Sequence, residues 1–282
     1  MSLTVFLAVL AAAALHASWN AFVKGGTDKL VSMTAIVMGH APLGLVAILI
    51  SPLPDPASLP YLLVGVVLHV GYQWLLLSSY RVGDLTQVYP IARGVAPLVV
   101  VTVSVLLLGE HLGLLEQLAV VTIAAGLISL GLVRRGDGQR NGRATALALA
   151  TGVCIAGYSL VDGLGARLAG TALGFYGWLT LGNVLVFAAM VRVHRPRVLG
   201  TVFTDARRLL IVGGGASYLA YSLVMWSFTQ APIAMVTALR ETSIVFALLI
   251  GVCFLKERLD LARVCSAMVT LGGAILLRIA RH

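Results

Sequence analysis

The chain has 282 residues, of which 59% are hydrophobic and only 11% are charged, whereas soluble domains carry roughly 25% charged residues. This composition excludes a soluble nucleic-acid-binding protein, although a formal net charge of +9 would suit one. The basic excess is typical instead of cytoplasmic loops between membrane spans. Cys154, Cys253 and Cys265 lie inside apolar runs, so we expect small buried hydrophobic residues rather than a metal or disulfide site.

Ten segments are predominantly apolar and long enough to cross a bilayer, which takes about 20 residues of α-helix. In chain order they are 3–23, 31–51, 61–80, 87–109, 117–133, 144–163, 172–193, 209–228, 233–255 and 261–279. The first ends in small residues, as a signal peptide does, but no Lys or Arg precedes it, so we expect an uncleaved span. The sequence therefore predicts an all-α integral membrane protein with ten transmembrane helices.

The chain contains an internal repeat at an offset of 147 residues. The pairs that carry the alignment are Arg93/Arg240, Glu110/Glu257 and Gly126/Gly273. An odd number of spans in each copy gives the two copies opposite orientations in the membrane. We therefore predict two inverted five-helix repeats, 1–136 and 137–282, an architecture in which secondary transporters bind substrate at the repeat interface.

Basic residues are distributed unevenly between the two sets of loops. The loops after the odd-numbered spans hold most of them, and the opposite side holds only Arg167, Arg278 and Arg281. Because cytoplasmic loops accumulate Lys and Arg, this bias predicts that both termini lie outside the cytoplasm.

Two short motifs lie at the ends of the fourth and ninth spans. They are Leu108-Gly109-Glu110 with Leu112, and Leu255-Lys256-Glu257 with Leu259, each followed by a leucine-rich span containing Gly126 or Gly273. With the five-helix repeats, they resemble the ten-helix EamA branch of the drug/metabolite transporter superfamily over nearly the whole chain. Lys256 departs from the glycine that is usual at its position.

The resemblance implies transport of small metabolites, commonly amino acids and their relatives, across an inner membrane, with no cofactor and no ATP hydrolysis. A second, shorter stretch, His16-Ala17-Ser18-Trp19-Asn20 followed by Lys24, is similar to family members associated with phosphonate utilisation. The implied partners are a small-molecule substrate and membrane lipid, with no nucleic acid, and a homodimer is one option for the lipid-facing spans.

Polar residues recur at helical spacing inside six of the predicted spans, three in each repeat. These candidate substrate-binding residues are His16 and Asn20, His69 and Gln73, Arg93, Tyr158, Ser217 and Tyr221, and Arg240 with Glu241. Ionisable groups at bilayer depth usually face a cavity or a partner, so we expect a central polar cavity. The alternative for each His and Gln is a structural hydrogen bond between helices.

The two repeat-related arginines are the strongest candidates for substrate contact. Arg240 has Glu241 beside it in sequence, although consecutive helical positions do not face each other. Arg93 has no acidic neighbour in sequence, and an unpaired guanidinium can bind a carboxylate, phosphate or phosphonate with two hydrogen bonds. This pattern predicts a small anion or zwitterion as the substrate, such as an amino acid or an aminophosphonate.

Proton coupling and facilitated exchange both remain open. The candidates for a coupling role are His16, His69, Asp162 and Glu241, because histidine titrates near physiological pH and a carboxylate in an apolar cavity binds protons more readily. Asp162 lies near a predicted span end, where solvation is the alternative.

Three other functions are alternatives to a transporter of anions or zwitterions. Several aromatic residues would form a cage for a quaternary amine or a cationic drug if they converged, as cation–π recognition requires. A membrane-embedded enzyme would need a catalytic motif, and the sequence has no HExxH or GxSxG. A channel would not require inverted repeats with charged faces, so the repeats argue against this function. We therefore predict a secondary transporter that works by alternating access.

Overall fold

The computed structural model describes residues 1–24, 28–82, 85–132, 142–253 and 261–280. Within these ranges, the side chains at 21–24, 80, 85–87 and 130–132 are not described. Lys256, Glu257 and most of the central loop therefore lie outside the described residues, as does the side chain of Lys24. The described parts contain no β-strand.

The helices follow the ten predicted segments. They are α1 (Leu3–Lys24), α2 (Lys29–Gly39), α3 (Ala41–Ile50), α4 (Leu59–Val82), α5 (Leu85–Leu106), α6 (Leu114–Leu132), α7 (Gly142–Leu168), α8 (Ala172–His194), α9 (Arg197–Thr204), α10 (Gly214–Phe228), α11 (Ile233–Arg240), α12 (Ser243–Cys253) and α13 (Leu261–Ile279). Nine helical stretches in the described ranges are long and apolar enough to cross a membrane, and α6 contains a shorter apolar tenth. The protein is an all-α multi-pass membrane protein, as predicted.

Three features differ from ten simple helices. The second span is broken into α2 and α3 at His40, where Pro42 in the first turn of α3 lacks the N–H that a continuous helix would need. The ninth span is broken into α11 and α12 at Glu241 and Thr242. The short helix α9 lies between the seventh and eighth spans and was not predicted, since eight residues with a narrow apolar face do not resemble a span.

Large apolar side chains also cover the outside of the bundle. Leu49, Leu107 and Val193 are each more than 70% exposed, which is expected of a surface that contacts lipid tails rather than water. Cys253 and Cys265 share this outer surface and are exposed, so the prediction that they are buried is wrong. In lipid, an exposed thiol is solvated by hydrocarbon, and exposure there does not require polarity.

The sixth and thirteenth helices pack through two glycines that occupy matching positions of the repeat. A Cβ on Gly126 would lie 3.1 Å from the carbonyl oxygen of Ser266 and 3.2 Å from the nitrogen of Thr270. A Cβ on Gly273 would lie 3.0 Å from the carbonyl oxygen of Ala119 and 3.1 Å from the nitrogen of Ile123. Moving either set of partners by 147 residues gives the other set, so the contact is reciprocal, as a two-fold axis requires.

The motif after α5 ties three chain segments together at one end of the bundle. Gly109 has φ of +65°, a left-handed conformation that glycine adopts without strain. The carboxylate of Glu110 then accepts from the backbone N–H of Ile233, the first residue of α11, at 3.1 Å. Arg167 donates to the same carboxylate at 2.9 Å and to the carbonyl oxygens of Phe228 and Ala231. These contacts give Glu110 a structural role at this end of the bundle.

Candidate functional site

Two buried arginines from different halves of the chain share one carboxylate in the middle of the bundle. Arg93 on α5 and Arg240 on α11 are each 4% exposed, and Glu241 is 1% exposed. The Nε of Arg93 lies 2.7 Å from Oε2 of Glu241, and the Nε of Arg240 lies 3.8 Å from Oε1. Among the described residues, the Nη2 atoms of both arginines have no hydrogen-bond acceptor. The group therefore carries one more positive than negative charge and has unused donors.

The break in the ninth span explains how Glu241 reaches both arginines. The N–H groups of Glu241 and Thr242 bond the carbonyls of Ala238 and Leu239, three residues back, so the last turn is tightened. Arg93 is thus ion-paired rather than unpaired, contrary to expectation. Glu241 is nearer to Arg93 than to its chain neighbour Arg240, and sequence distance concealed this partner.

Arg93, Arg240 and Glu241 form a charged cluster. Aromatic and imidazole side chains adjoin it next to Arg93. The guanidinium carbon of Arg93 lies 5.7 Å from the ring centroid of Tyr89, which is within cation–π range. The Tyr89 hydroxyl is 3.2 Å from Nε2 of His16, and the His16 ring meets Trp19 edge-on at 5.1 Å. Through His16, the first helix therefore adjoins Arg93 by way of Tyr89.

A second polar group extends from the Arg240 side. Its guanidinium carbon lies 5.8 Å from the ring centroid of Tyr221. The Tyr221 hydroxyl donates to Oδ2 of Asp162 at 2.7 Å, and Nε2 of His69 contacts the same oxygen at 2.7 Å. The His69 ring stacks on Tyr158 with centroids 4.3 Å apart. Four residues that the sequence singled out, Tyr221, Asp162, His69 and Tyr158, are thus connected to Arg240 through ring contacts and hydrogen bonds.

Asp162 is completely buried, so the alternative of a solvated span end is wrong. The predicted end of the sixth span at residue 163 was too early, since α7 continues to Leu168. Gly65 on α4 makes room for the carboxylate, because a Cβ there would lie 2.9 Å from Oδ1 of Asp162.

Tyrosine rings continue the Asp162 group between α4, α7, α8 and α10. Tyr158 meets Tyr72 and Tyr221 with centroids 5.6 and 6.1 Å apart. Tyr176 packs against Tyr221 at 5.3 Å and stacks on Tyr218 at 4.8 Å. Because these rings contact one another, they form a packed aromatic cluster rather than an open cage for a quaternary amine.

Three sequence candidates are not joined to the charged cluster. Asn20 donates to the carbonyl of His16 one turn back in its own helix at 2.7 Å. Gln73 is buried with an unbonded Oε1, and no described contact connects Ser217 with the cluster. Sequence reasoning counted Tyr89 only among the aromatic residues that could line a cavity, although its position one turn before Arg93 was an available signal. It also missed the helix break, for which four consecutive polar residues, 240–243, were the signal.

The described residues offer no metal site: no group of three or more His, Cys, Asp or Glu side chains could hold an ion.

A broken helix beside buried charges, inside a bundle of apolar spans, is a feature that many secondary transporters share. Residues 143–279 match the model of the EamA-like transporter family. The second half of the chain therefore contains an EamA-like transporter family domain, which is consistent with the drug/metabolite transporter superfamily. The matched range falls within the predicted second repeat.

Comparison with solved structures supports the fold of the whole chain. One crystal structure aligns over 100% of this chain and 99% of its own, with a TM-score of 0.76 and 17% sequence identity. At this identity the similarity concerns the fold alone. No curated protein matches the chain.

Proposed function

We propose that this transporter moves a small zwitterionic or anionic metabolite, such as an amino acid or an aminophosphonate, across the inner membrane by alternating access. The observation that carries the proposal is the pair of buried guanidinium groups that share the single carboxylate of Glu241. A purely structural arrangement would pair each buried charge and satisfy its donors. Here the Nη2 atoms of Arg93 and Arg240 have no acceptor in the described part of the chain.

The acidic group of the substrate binds between the two arginines. A guanidinium presents parallel N–H donors that match a carboxylate or phosphonate, and such charge-assisted bonds are roughly twice as strong as neutral ones. An amine on the same substrate would be met by Glu241 and by the face of Tyr89 or Tyr221. A cationic drug fits poorly, because it would meet two guanidinium groups with one carboxylate beside them.

The broken ninth span supports a substrate site at these groups. Discontinuous helices line the midplane sites of many secondary transporters, since the freed backbone groups can face a cavity. His16, His69, Tyr158 and Tyr221 add neutral hydrogen-bonding groups around the arginines, and Asn20, Gln73 and Ser217 join only if the two halves move. Rocking of the halves about this site would expose it to each side in turn.

A thermal-shift screen of the purified protein tests the substrate class, because a ligand that binds the folded state stabilises it by RT ln(1 + [L]/Kd). The screen compares amino acids, aminophosphonates, organophosphates and choline-like amines. We expect stabilisation by solutes with an acidic group. Stabilisation by quaternary or lipophilic cations alone would contradict the proposal.

Two variants test whether the stabilisation by ligand depends on the arginines. Arg93→Gln and Arg240→Gln should each weaken binding by at least about tenfold, since a hydrogen bond to a charged group contributes about 1.5–3 kcal/mol. Arg278→Gln is the matched control, because Arg278 lies over Phe6 rather than in the cluster. Uptake into liposomes without chemical change of the solute separates transport from an enzymatic activity.

A further inference from the structure

We infer that the group formed by His69, Asp162 and Tyr221 is a proton-binding site that carries one proton with each net negative charge on the substrate. The inference rests on the proposed function and adds the coupling ion. An anion would then move with one proton, and a neutral zwitterion would move without one.

The hydrogen bonds define where the proton binds. An ionised carboxylate can only accept, so the 2.7 Å contact from His69 to Oδ2 of Asp162 places a hydrogen on Nε2. The Tyr221 hydroxyl donates to the same oxygen. Nδ1 of His69 makes no hydrogen bond to any described residue, and the His69 side chain is 13% exposed while that of Asp162 is fully buried. A proton arriving on Nδ1 makes an imidazolium whose charge is paired with Asp162.

The charges of the joined groups around Arg93 and Arg240 balance when His69 is neutral and no substrate is bound. Arg93 and Arg240 contribute two positive charges, and Glu241 and Asp162 contribute two negative charges. A bound anion adds one negative charge in a region of low dielectric, where an uncompensated charge is strongly disfavoured. One proton on His69 restores neutrality. A zwitterion adds no net charge and needs no proton.

Other titratable and charged groups face this site from every helix packed against it. They are His16 on α1, His40 at the end of α2, Tyr72 on α4, Tyr89 and Arg93 on α5, Tyr158 on α7, Tyr176 on α8, Tyr218 on α10, and Arg240 with Glu241 at the end of α11. The arginines are paired by Glu241, and a tyrosine loses its proton only near pH 10. Among the described histidines around the site, only His69 contacts a carboxylate, so a proton bound there is paired with Asp162.

The site also links the two halves of the chain. His69 belongs to α4 in the first half, whereas Asp162 and Tyr221 belong to α7 and α10 in the second. Protonation converts a hydrogen bond between the halves, from neutral His69 to the Asp162 carboxylate, into an ion pair. Because the same halves would rock during transport, the charge on His69 can bias which conformation is favoured.

The test uses the full-length protein in liposomes with l-glutamate and 2-aminoethylphosphonate as net-anionic solutes and l-alanine as a neutral zwitterion. Exchange of labelled for unlabelled solute is measured first, since exchange requires no net proton movement. Accumulation is then driven by an acidic exterior. For an anion moving with one proton, a difference of one pH unit should give about tenfold accumulation, because one unit is one factor of ten in proton activity. The exchanged zwitterion should not accumulate.

Asp162→Asn and His69→Gln keep side chains of similar shape and hydrogen-bonding capacity. Each should lose the pH-driven accumulation, so that the ratio of solute inside to outside stays near one; this final ratio does not depend on how fast the variant still exchanges the anion. His194→Gln is the matched control, because His194 is an exposed histidine at the end of α8 and should behave as wild type.

The outcomes are separable. Wild-type exchange of an anion with no response to the pH gradient overturns the proton site and leaves the proposed function standing. Full accumulation by both variants overturns the assignment to His69 and Asp162. Accumulation of l-alanine in proportion to the gradient overturns the charge-matching rule. The absence of exchange for all three solutes overturns the proposed function, and the inference fails with it.

Discussion

The fourth and ninth spans occupy matching positions of the repeat but are built differently at the site. Both carry the arginine, as Arg93 and Arg240, yet the next residue is Gly94 in one and Glu241 in the other. A Cβ on Gly94 would lie 2.6 Å from the Ile128 side chain and 3.1 Å from the carbonyl oxygen of Ala124. Close packing of α5 on α6 thus excludes a second carboxylate, and the duplicated arginines are left with one counter-ion.

Of these two spans, the one that is broken has polar residues at the break, and the one that contains prolines is continuous. The fourth span contains Pro90 and Pro97 and is described as one helix, α5. The ninth span has no internal proline and is interrupted at Glu241 and Thr242. Buried charges that bind a partner across the bundle can therefore reshape a span more than a missing backbone N–H does, because neighbouring groups can satisfy the latter. The asymmetry lies where the substrate is proposed to bind.

The largest expected effect comes from removing the shared carboxylate. Glu241→Ala leaves two buried guanidinium groups without a counter-ion, and breaking a buried ion pair in this way costs about 3–5 kcal/mol. We expect a large drop in the thermal unfolding temperature, measured on purified protein in one detergent. Glu241→Ala combined with Arg93→Gln should recover part of the loss. An unfolding temperature equal to that of wild type would mean that the arginines have other partners.

A larger side chain in the fourth span tests whether close packing of α5 on α6 excludes a second carboxylate. Gly94→Ala should destabilise the protein by about 1–3 kcal/mol, since overpacking a tight contact forces the backbones apart. Gly71→Ala is the control within α4, because a Cβ there meets nothing within 4 Å. If both variants unfolded at the wild-type temperature, α5 and α6 would tolerate separation, and packing would not explain the missing carboxylate.

The reciprocal contact between α6 and α13 offers a test of symmetry itself. Gly126→Ala and Gly273→Ala introduce a Cβ about 3 Å from equivalent backbone atoms, so each should cost a similar amount, about 1–2 kcal/mol. Gly272→Ala, whose Cβ would meet nothing within 4 Å, is the control. Unequal losses, measured by the same thermal assay, would show that the two contacts are not energetically equivalent.

The sequence predicted the spans well, because apolar length is a strong local signal in a membrane protein. It also selected most of the clustered residues, since buried ionisable groups are rare and their helical spacing is visible. It did not predict that Glu241 pairs with Arg93, because 148 positions separate them and only tertiary structure brings them together. The sequence also did not predict the break at Glu241 or the burial of Asp162. The reason is related, because the place where a helix ends depends on partners in other helices.

The smallest effect expected concerns the carboxylate that joins α5 to α11. Glu110→Ala removes the acceptor for the Ile233 N–H and one partner of Arg167. A lost helix cap costs about 0.5–2 kcal/mol, and the ion pair adds little because the Arg167 side chain is one-third exposed and a pair of this kind is screened. The unfolding temperature should therefore fall only slightly, with Glu110→Gln falling less, since its amide oxygen still accepts from Ile233. The repeat predicts a similar loss for Glu257→Ala. A much larger loss for only one of the two glutamates would show that the halves diverged at their motif ends as well as at the arginines.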